Sequence, residues 1–423
     1  MQPSGVHEYI NNPMKKKLII LGAGENQVPI IDLAKQKDYY TIAISIDGDY
    51  PGFKHCDKKY IMDVREKEYI LDIARKEKIT GILTDQTDIA VPTAAYVAEK
   101  LGLPGIGYEC ALSFTNKFKM RESCEKTKIK TIGFRRASNY KEADKAAREL
   151  SLPLIIKPVD NQGSRGVGKV DRYSDLKEKF DRAIKYSSTG TVIIEEFFQG
   201  REIVIEGFSK DYKFHNLIIG DSENFESIEM FIPKQRIFPT TLNSEIKAKV
   251  LSANRGLVEK LGLKFGITHS EFLVNETNGD ICLIEIAARG GGVFISSDLI
   301  PLACGINVNE LLIELSAGGN PDFDMKGYVE ASSGYVCFLL PEGTITKVEG
   351  LEEVKKLPGV HRACLANIQL GIKTPCLKDK TSRLGPILVS AENRNKLLDI
   401  IQELKTLLKI EVETSNGTRG IMW

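Results

Sequence analysis

The residues best able to do chemistry in this chain lie between His269 and Gly292, in HSEFLVNETNGDICLIEIAARGGG. The stretch reads as two strands joined by a tight turn, with Thr277-Asn278-Gly279 as a three-residue hairpin loop whose glycine takes the left-handed position. That loop pairs Glu276 with Asp280, and counting outward sets Glu271 opposite Glu285. Phe272, Val274, Cys282, Ile284 and Ile286 then share one apolar face, and His269, Glu271, Glu285 and Arg289 share the other. Two opposed carboxylates repel each other unless positive charge sits between them. A divalent cation meets that need. Oxygen donors suit Mg²⁺, which takes one or two protein carboxylates and completes its octahedron with waters and substrate phosphates. The competing reading is a surface hairpin with two solvated acids, and a one-residue change of register would put the glutamates on opposite faces.

Five further stretches carry candidate chemistry. Lys157 lies in the apolar strand 154–158, where an unpaired ammonium is costly, so it needs either a salt-bridge partner or a bound anion. The segment 160–168, DNQGSRGVG, holds Gly163, Gly166 and Gly168 with Ser164 and Arg165, a loop whose N–H groups can fold over a polyphosphate. No GK[ST] follows, so it is not a Walker A loop. In EEFFQGRE, residues 195–202, a strand stops at two acids and two aromatics; its backbone can meet a flat heteroaromatic ring, and Glu202 can accept from ribose hydroxyls. Strand aromatics are more commonly core. Lys234 and Arg236 either recognise a substrate carboxylate or form a solvated pair, and Asp85-Gln86-Thr87-Asp88 is either a ligand position at a strand's carboxyl end or a helix cap.

These side chains need several folded units to position them. With 423 residues, 42% of them hydrophobic, the chain can bury two to four domain cores. A strand at 17–21 runs into Gly22-Ala23-Gly24, then a helix at 28–36 and a strand at 41–46, and the alternation continues with elements at 59–62, 66–77, 81–84 and 89–101. Residues 15–110 are therefore expected to form a parallel-sheet α/β domain. Gln27 stands where a dinucleotide fingerprint would carry its third glycine, so the loop better suits a small ligand or a neighbouring domain. The remaining expectations are a loose tail at 1–14, a helical linker at 111–127 containing Lys117, an α+β unit at 128–205 and a metal-bearing unit at 206–327. An extension at 328–423 is expected to form a small antiparallel sheet under one helix, at 392–408, and to serve as a lid on the substrate side.

Lys and Arg number 58 against 57 Asp and Glu, which argues against nucleic acid or an anionic membrane as partner. The eight cysteines show no CxxC pair and no zinc spacing, the pattern of reduced thiols. No signal-peptide-like run or 18-residue apolar run is present, so a cytoplasmic protein with small-molecule partners is expected, with a homodimer the safest prior for assembly.

The order of strand-borne lysine, glycine loop, EEFFQGRE and a glutamate pair closing in EIAAR resembles the ATP-grasp superfamily over about residues 15–410. The resemblance implies ATP as cosubstrate with Mg²⁺ or Mn²⁺. It places Lys117 and Lys157 on the phosphates, with Gly163, Ser164, Arg165 and Gly166 closing over them. It puts Glu195 and the Phe198 backbone at the adenine, Glu202 at the ribose, Glu271 and Glu285 on the metal, and Arg289 at the acceptor carboxylate or the transition-state charge. One departure is Ala287, where the family often has a metal-binding Asn; either one metal is then held mainly by Glu285 and Glu271 with extra water, or His269 compensates by contacting a phosphate. THSEF and IAARGGG look most like the L-amino acid ligases, and the N-terminal and C-terminal segments are similar to those enzymes and, more distantly, to biotin carboxylase and purine-pathway ligases.

The chemistry this implies begins with a carboxylate, a poor electrophile until the ATP γ-phosphate converts it to an acyl phosphate. An amine then attacks, with Arg289 and glycines 290–292, Gly290 and Gly291 foremost, orienting the carboxylate and stabilising the oxyanion. A carboxylase-like or purine-pathway relative, or a non-catalytic nucleotide binder, are the alternatives.

Overall fold

The computed structural model describes residues 15–423 except 126, 128, 226–230, 326 and 378–381. The tail expected at 1–14 lies outside the described residues. Four strands, β1 (Lys17–Leu21), β2 (Tyr40–Ser45), β3 (Lys58–Ile61) and β4 (Gly81–Leu83), form a parallel sheet in the order β3-β2-β1-β4. Leu18, Ile19, Ile20 and Leu21 are all fully buried, as a strand covered on both faces requires. The glycine loop after β1 is closed by the residue that stands in place of the third glycine. The Gln27 side chain folds back into it, accepting from Gly24 N at 3.1 Å and donating to Asp85 O at 2.8 Å.

A second sheet is antiparallel, in the order β5-β8-β6-β7, from β5 (Phe134–Ala137), β6 (Leu154–Pro158), β7 (Gly168–Val170) and β8 (Val192–Glu196). The third is an eight-stranded antiparallel sheet. Its leading members are β9 (Arg201–Lys210), β10 (Lys213–Asn224), β11 (Pro233–Phe238), β12 (Gly266–Asn275) and β13 (Asp280–Ala287). The helix Ser244–Leu261 covers one face. It is capped by Asn243 Oδ1 accepting from Ile246 N and is stopped by Gly262 in the left-handed conformation. Its Val250, Leu257 and Val258 pack with Phe272, Val274, Ile281, Leu283 and Ile286, which leaves the other face of the hairpin open to the site.

The C-terminal extension corrects the expectation of a separate small sheet. Strands β14 (Ser332–Phe338), β16 (Val360–Ala363) and β18 (Leu384–Ala391) continue the eight-stranded sheet, whose order is β13-β12-β9-β10-β11-β14-β18-β16. Only β15 (Gly343–Glu349), β17 (Lys373–Thr374), β19 (Lys409–Thr414) and β20 (Gly417–Arg419) make an independent sheet. Two helices, Leu351–Lys356 and Arg394–Leu407, accompany these strands. The ladder between β11 and β14 could not be read from either segment alone, because antiparallel partners separated by about a hundred residues leave no local signal. All eight cysteines are free thiols. Among the described residues no helix is long and apolar enough to cross a membrane.

Candidate active site

The hairpin places its two glutamates as expected, by a different route. The turn is four residues long rather than three, so Asn275 and not Glu276 pairs with Asp280. The one-residue offset is cancelled by a β-bulge at Ile284, after which Glu271 faces Glu285 and His269 faces Ala287. Between turn and bulge the faces are the reverse of those expected on β13. Ile281 and Leu283 join the core, whereas Cys282 and Ile284 line the site. Ala287 is fully buried.

A cavity of about 730 Å³ opens between the second sheet, the eight-stranded sheet and the glycine loop. Lys117, Lys157, Gly163, Ser164, Arg165, Glu195, Phe198, Glu202, His269, Glu271, Glu285 and Arg289 all line it. Lys117 is the first residue of the helix Lys117–Cys124, fixed there by Asn116 Oδ1, which accepts from Phe118 N and Lys119 N. Its ammonium reaches Glu285 at 2.9 Å and Asn161 O at 2.6 Å. Lys157 finds its anion within the protein, Glu195 Oε2 at 2.7 Å, and the other oxygen of Glu195 accepts from Arg121 Nε at 2.5 Å. Burial alone would raise the Glu195 carboxyl, but the charges of Arg121 and Lys157 overcome it and hold the group down at about 2. Burial lowers Lys157, and the nearby charges of Arg121 and Lys117 push the same way.

At the hairpin, Arg236 donates to Glu271, to Glu202 at 3.3 Å and to Ser222 Oγ at 3.3 Å. Arg236 is buried, not solvated, and it neutralises the Glu271 carboxylate. His269 has protein partners at both ring nitrogens. Nδ1 meets Glu206, and Nε2 lies 3.1 Å from both Glu271 Oε1 and Arg236 Nη1. Burial lowers the imidazole's affinity for protons, but Glu206 and Glu271 outweigh it and the pKa is raised. His269 thus ties Glu206 to Glu271; its expected contact with a phosphate in compensation for Ala287 requires one of these bonds to be exchanged. Burial works against ionisation of Glu285 as well, yet Lys117 lowers its pKa against the repulsion of Glu271.

The glycines after Arg289 also depart from expectation. The N–H of Gly290 donates to Asp85 Oδ1 at 3.0 Å and that of Gly291 to Glu206 Oε2 at 3.1 Å, so neither is free to stabilise an oxyanion. They are glycines because their neighbours press close: a Cβ on Gly290 would lie 2.3 Å from Ser296 Cβ, and one on Gly291 2.5 Å from Glu206 Oε1. Gly292 lines the cavity instead. Gly166 closes the base of its loop against Pro158 and Tyr186 at a φ of +76° and does not line the cavity.

Segment 85–88 does not cap the following helix, Val91–Leu101, and of its four residues Gln86 lines the cavity. No side chain caps that helix. Asp88 instead pairs with Arg289 through two bonds, 2.7 Å and 3.0 Å, and Asp85 and Gln86 bind the backbone beyond it. Sequence reasoning also missed Arg121, Glu206, Asn224, Tyr335 and Arg383. The first was signalled as a cation one helical turn after Lys117; Tyr335 and Arg383 reach the cavity only through the sheet pairing of the extension.

A polyphosphate fits this arrangement. Among the described residues lining the cavity, eight are Lys or Arg and five are Glu, an excess of positive charge that an anion balances. Arg121 Nη1 and Asn224 Oδ1 are buried without a hydrogen-bond partner, which are groups a ligand can satisfy.

Comparison with known proteins agrees with this geometry. Residues 150–298 match an ATP-grasp domain and residues 337–413 match the L-amino acid ligase C-terminal domain 2. An alanine–anticapsin ligase from Bacillus subtilis is 27% identical over 340 residues, covering 72% of this chain and 70% of that one. An L-arginine-specific L-amino acid ligase from the same species is 24% identical, covering 77% and 78%. The crystal structure of an L-amino acid ligase from Bacillus licheniformis superposes with a TM-score of 0.81 at 24% identity, covering 95% of this chain and 99% of that one.

Proposed function

The chain is an ATP-grasp protein carrying the C-terminal domain of the L-amino acid ligases, and from this premise we propose that it is an ATP-dependent carboxylate–amine ligase joining two small metabolites, amino acids foremost, in the cytoplasm. The observation that carries the reading is the opposition of Glu271 and Glu285, each with a cation beside it, at the wall of a cavity rich in positive charge.

Lys117, Lys157 and the loop at 163–165 hold the phosphates, and Glu202 and the Phe198 backbone hold the nucleoside. Mg²⁺ or Mn²⁺ on Glu271 and Glu285 supplies charge neutralisation when bound. A substrate carboxylate oxygen attacks the γ-phosphorus, the bond to ADP breaks, and an acyl phosphate results. The amine nitrogen then attacks the acyl carbon, the carbon–oxygen bond to phosphate breaks, and the amide forms with loss of the amine proton. Arg289, whose plane Asp88 fixes, orients the carboxylate and offsets the growing charge. Tyr335 and Arg383 bring the C-terminal extension to the substrate side of the cavity, which supports its role in closing that side.

Phosphate release from MgATP, measured against single and paired L-amino acids, tests the reading. Release that requires a particular pair and is lost in Glu285→Gln establishes the ligase and identifies its substrates. Release driven by bicarbonate or a ribosyl amine in place of amino acids would move the chain to another ATP-grasp activity.

A further inference from the structure

The segment after Arg289 does not hold its own shape. Val293 and Phe294 sit at φ +65° and +59°, a left-handed conformation that non-glycine residues rarely adopt and that persists only when neighbours impose it. The neighbour is the loop after β4. Asp85 accepts from Gly290 N and, at 2.6 Å, from Ser296 Oγ, while Gln86 accepts from Phe294 N at 3.0 Å and is itself anchored on Asn26 O at 3.0 Å. Asp88 holds the Arg289 guanidinium at two points. The opposite side of the same loop meets the glycine loop: Gln162 Oε1 accepts from Asp88 N at 3.0 Å, and Gln162 Nε2 lies 3.4 Å from Thr87 Oγ1. Four residues thus touch the phosphate-side loop on one side and the substrate-side segment on the other.

We infer that Asp85, Gln86 and Asp88 are positioning residues for the proposed reaction, and that Gln162 makes their hold on Arg289 depend on the seating of the glycine loop. This rests on the nucleotide reading of the cavity. A polyphosphate beneath the loop favours its seated state, the docked Gln162 then steadies the Asp88 backbone, and the Asp88 carboxylate aims Arg289 at the acceptor. Loss of the nucleotide releases the chain of contacts in the reverse order. Arg289 is then held most firmly when a phosphoryl donor is present.

Hydrogen–deuterium exchange with and without saturating Mg²⁺ and adenylyl imidodiphosphate tests this without needing the amino-acid substrates. In the wild type the analogue is expected to slow exchange in residues 195–202 and, by roughly five- to a hundredfold, in residues 289–296. In Gln162→Ala it is expected to slow 195–202 as before but 289–296 by less than twofold. A purely structural role for Gln162 would change exchange equally with and without nucleotide, and equal nucleotide-driven slowing of 289–296 in wild type and variant overturns the inference. If the analogue protects 195–202 but not 289–296 in the wild type, the coupling alone is wrong. Protection of neither region would overturn the nucleotide reading and the inference with it.

Discussion

Two carboxylate clusters line the same cavity and differ in one respect. Glu195 is sealed between Arg121 and Lys157, its side chain 3% exposed, whereas Glu271 and Glu285 are 14% and 16% exposed and each leans on a cation from another segment. In the first cluster the carboxylate is fixed within the fold, and of its two cations Lys157 alone is also proposed to reach the phosphates. Removing one member leaves buried charge uncompensated, so it sets the spacing between the helix Lys117–Cys124, β6 and β8. The second is charge within closer reach of solvent: Lys117 and Arg236 neutralise the glutamates, and on the proposed function a metal and phosphates take over that task. Identical residue types therefore divide into scaffold and machinery by how far solvent and ligand can reach them.

The largest effect expected on this comparison comes from Glu195→Gln, which strands Arg121 and Lys157 and should lower folding stability by about 3–5 kcal/mol in urea unfolding. A loss below about 1 kcal/mol would mean that the cluster is not structural. Glu285→Gln should do the opposite, cutting amino-acid-dependent phosphate release by about 10²–10³-fold while moving the urea midpoint far less than the first variant does. If both variants lose stability alike, the two clusters are not distinct.

The acid profile sharpens the contrast. Glu195 is held at about 2, below the usual 4.5. A carboxyl lowered by folding contributes stability at pH values above 4.5, and that contribution is lost as pH falls from 4.5 through 2. The share at stake is about 3 kcal/mol. Urea midpoints measured from pH 6 down to pH 2 should fall more steeply for the wild type than for Glu195→Gln, in which the share is already missing. Parallel curves would assign acid unfolding to other groups.

Much of the site was legible before any fold was known. The opposition of Glu271 and Glu285 followed from hairpin counting, although the count erred by one at the turn and a bulge at Ile284 restored it. Loop chemistry specified that Gly279 would be left-handed but not whether one more residue would join the turn. Lys157 announced its need for an anion by standing in an apolar strand, and the protein meets that need with Glu195. The contacts that hold Arg289 were not legible. Asp88 lies 201 residues away in sequence, and its motif reads equally well as a helix cap.

The sequence by itself determined many of the strands and helices, among them the metal-type hairpin's two strands, and that two glutamates would face each other, because periodicity, turn residues and pairing parity act over a few residues. Only the tertiary structure decided which of those charges would be buried for good, that Gly290 and Gly291 would give their N–H groups to Asp85 and Glu206, and that the C-terminal strands would extend the central sheet. Desolvation and long-range strand pairing are properties of surfaces brought together across the chain, and no short stretch contains both halves of such a contact.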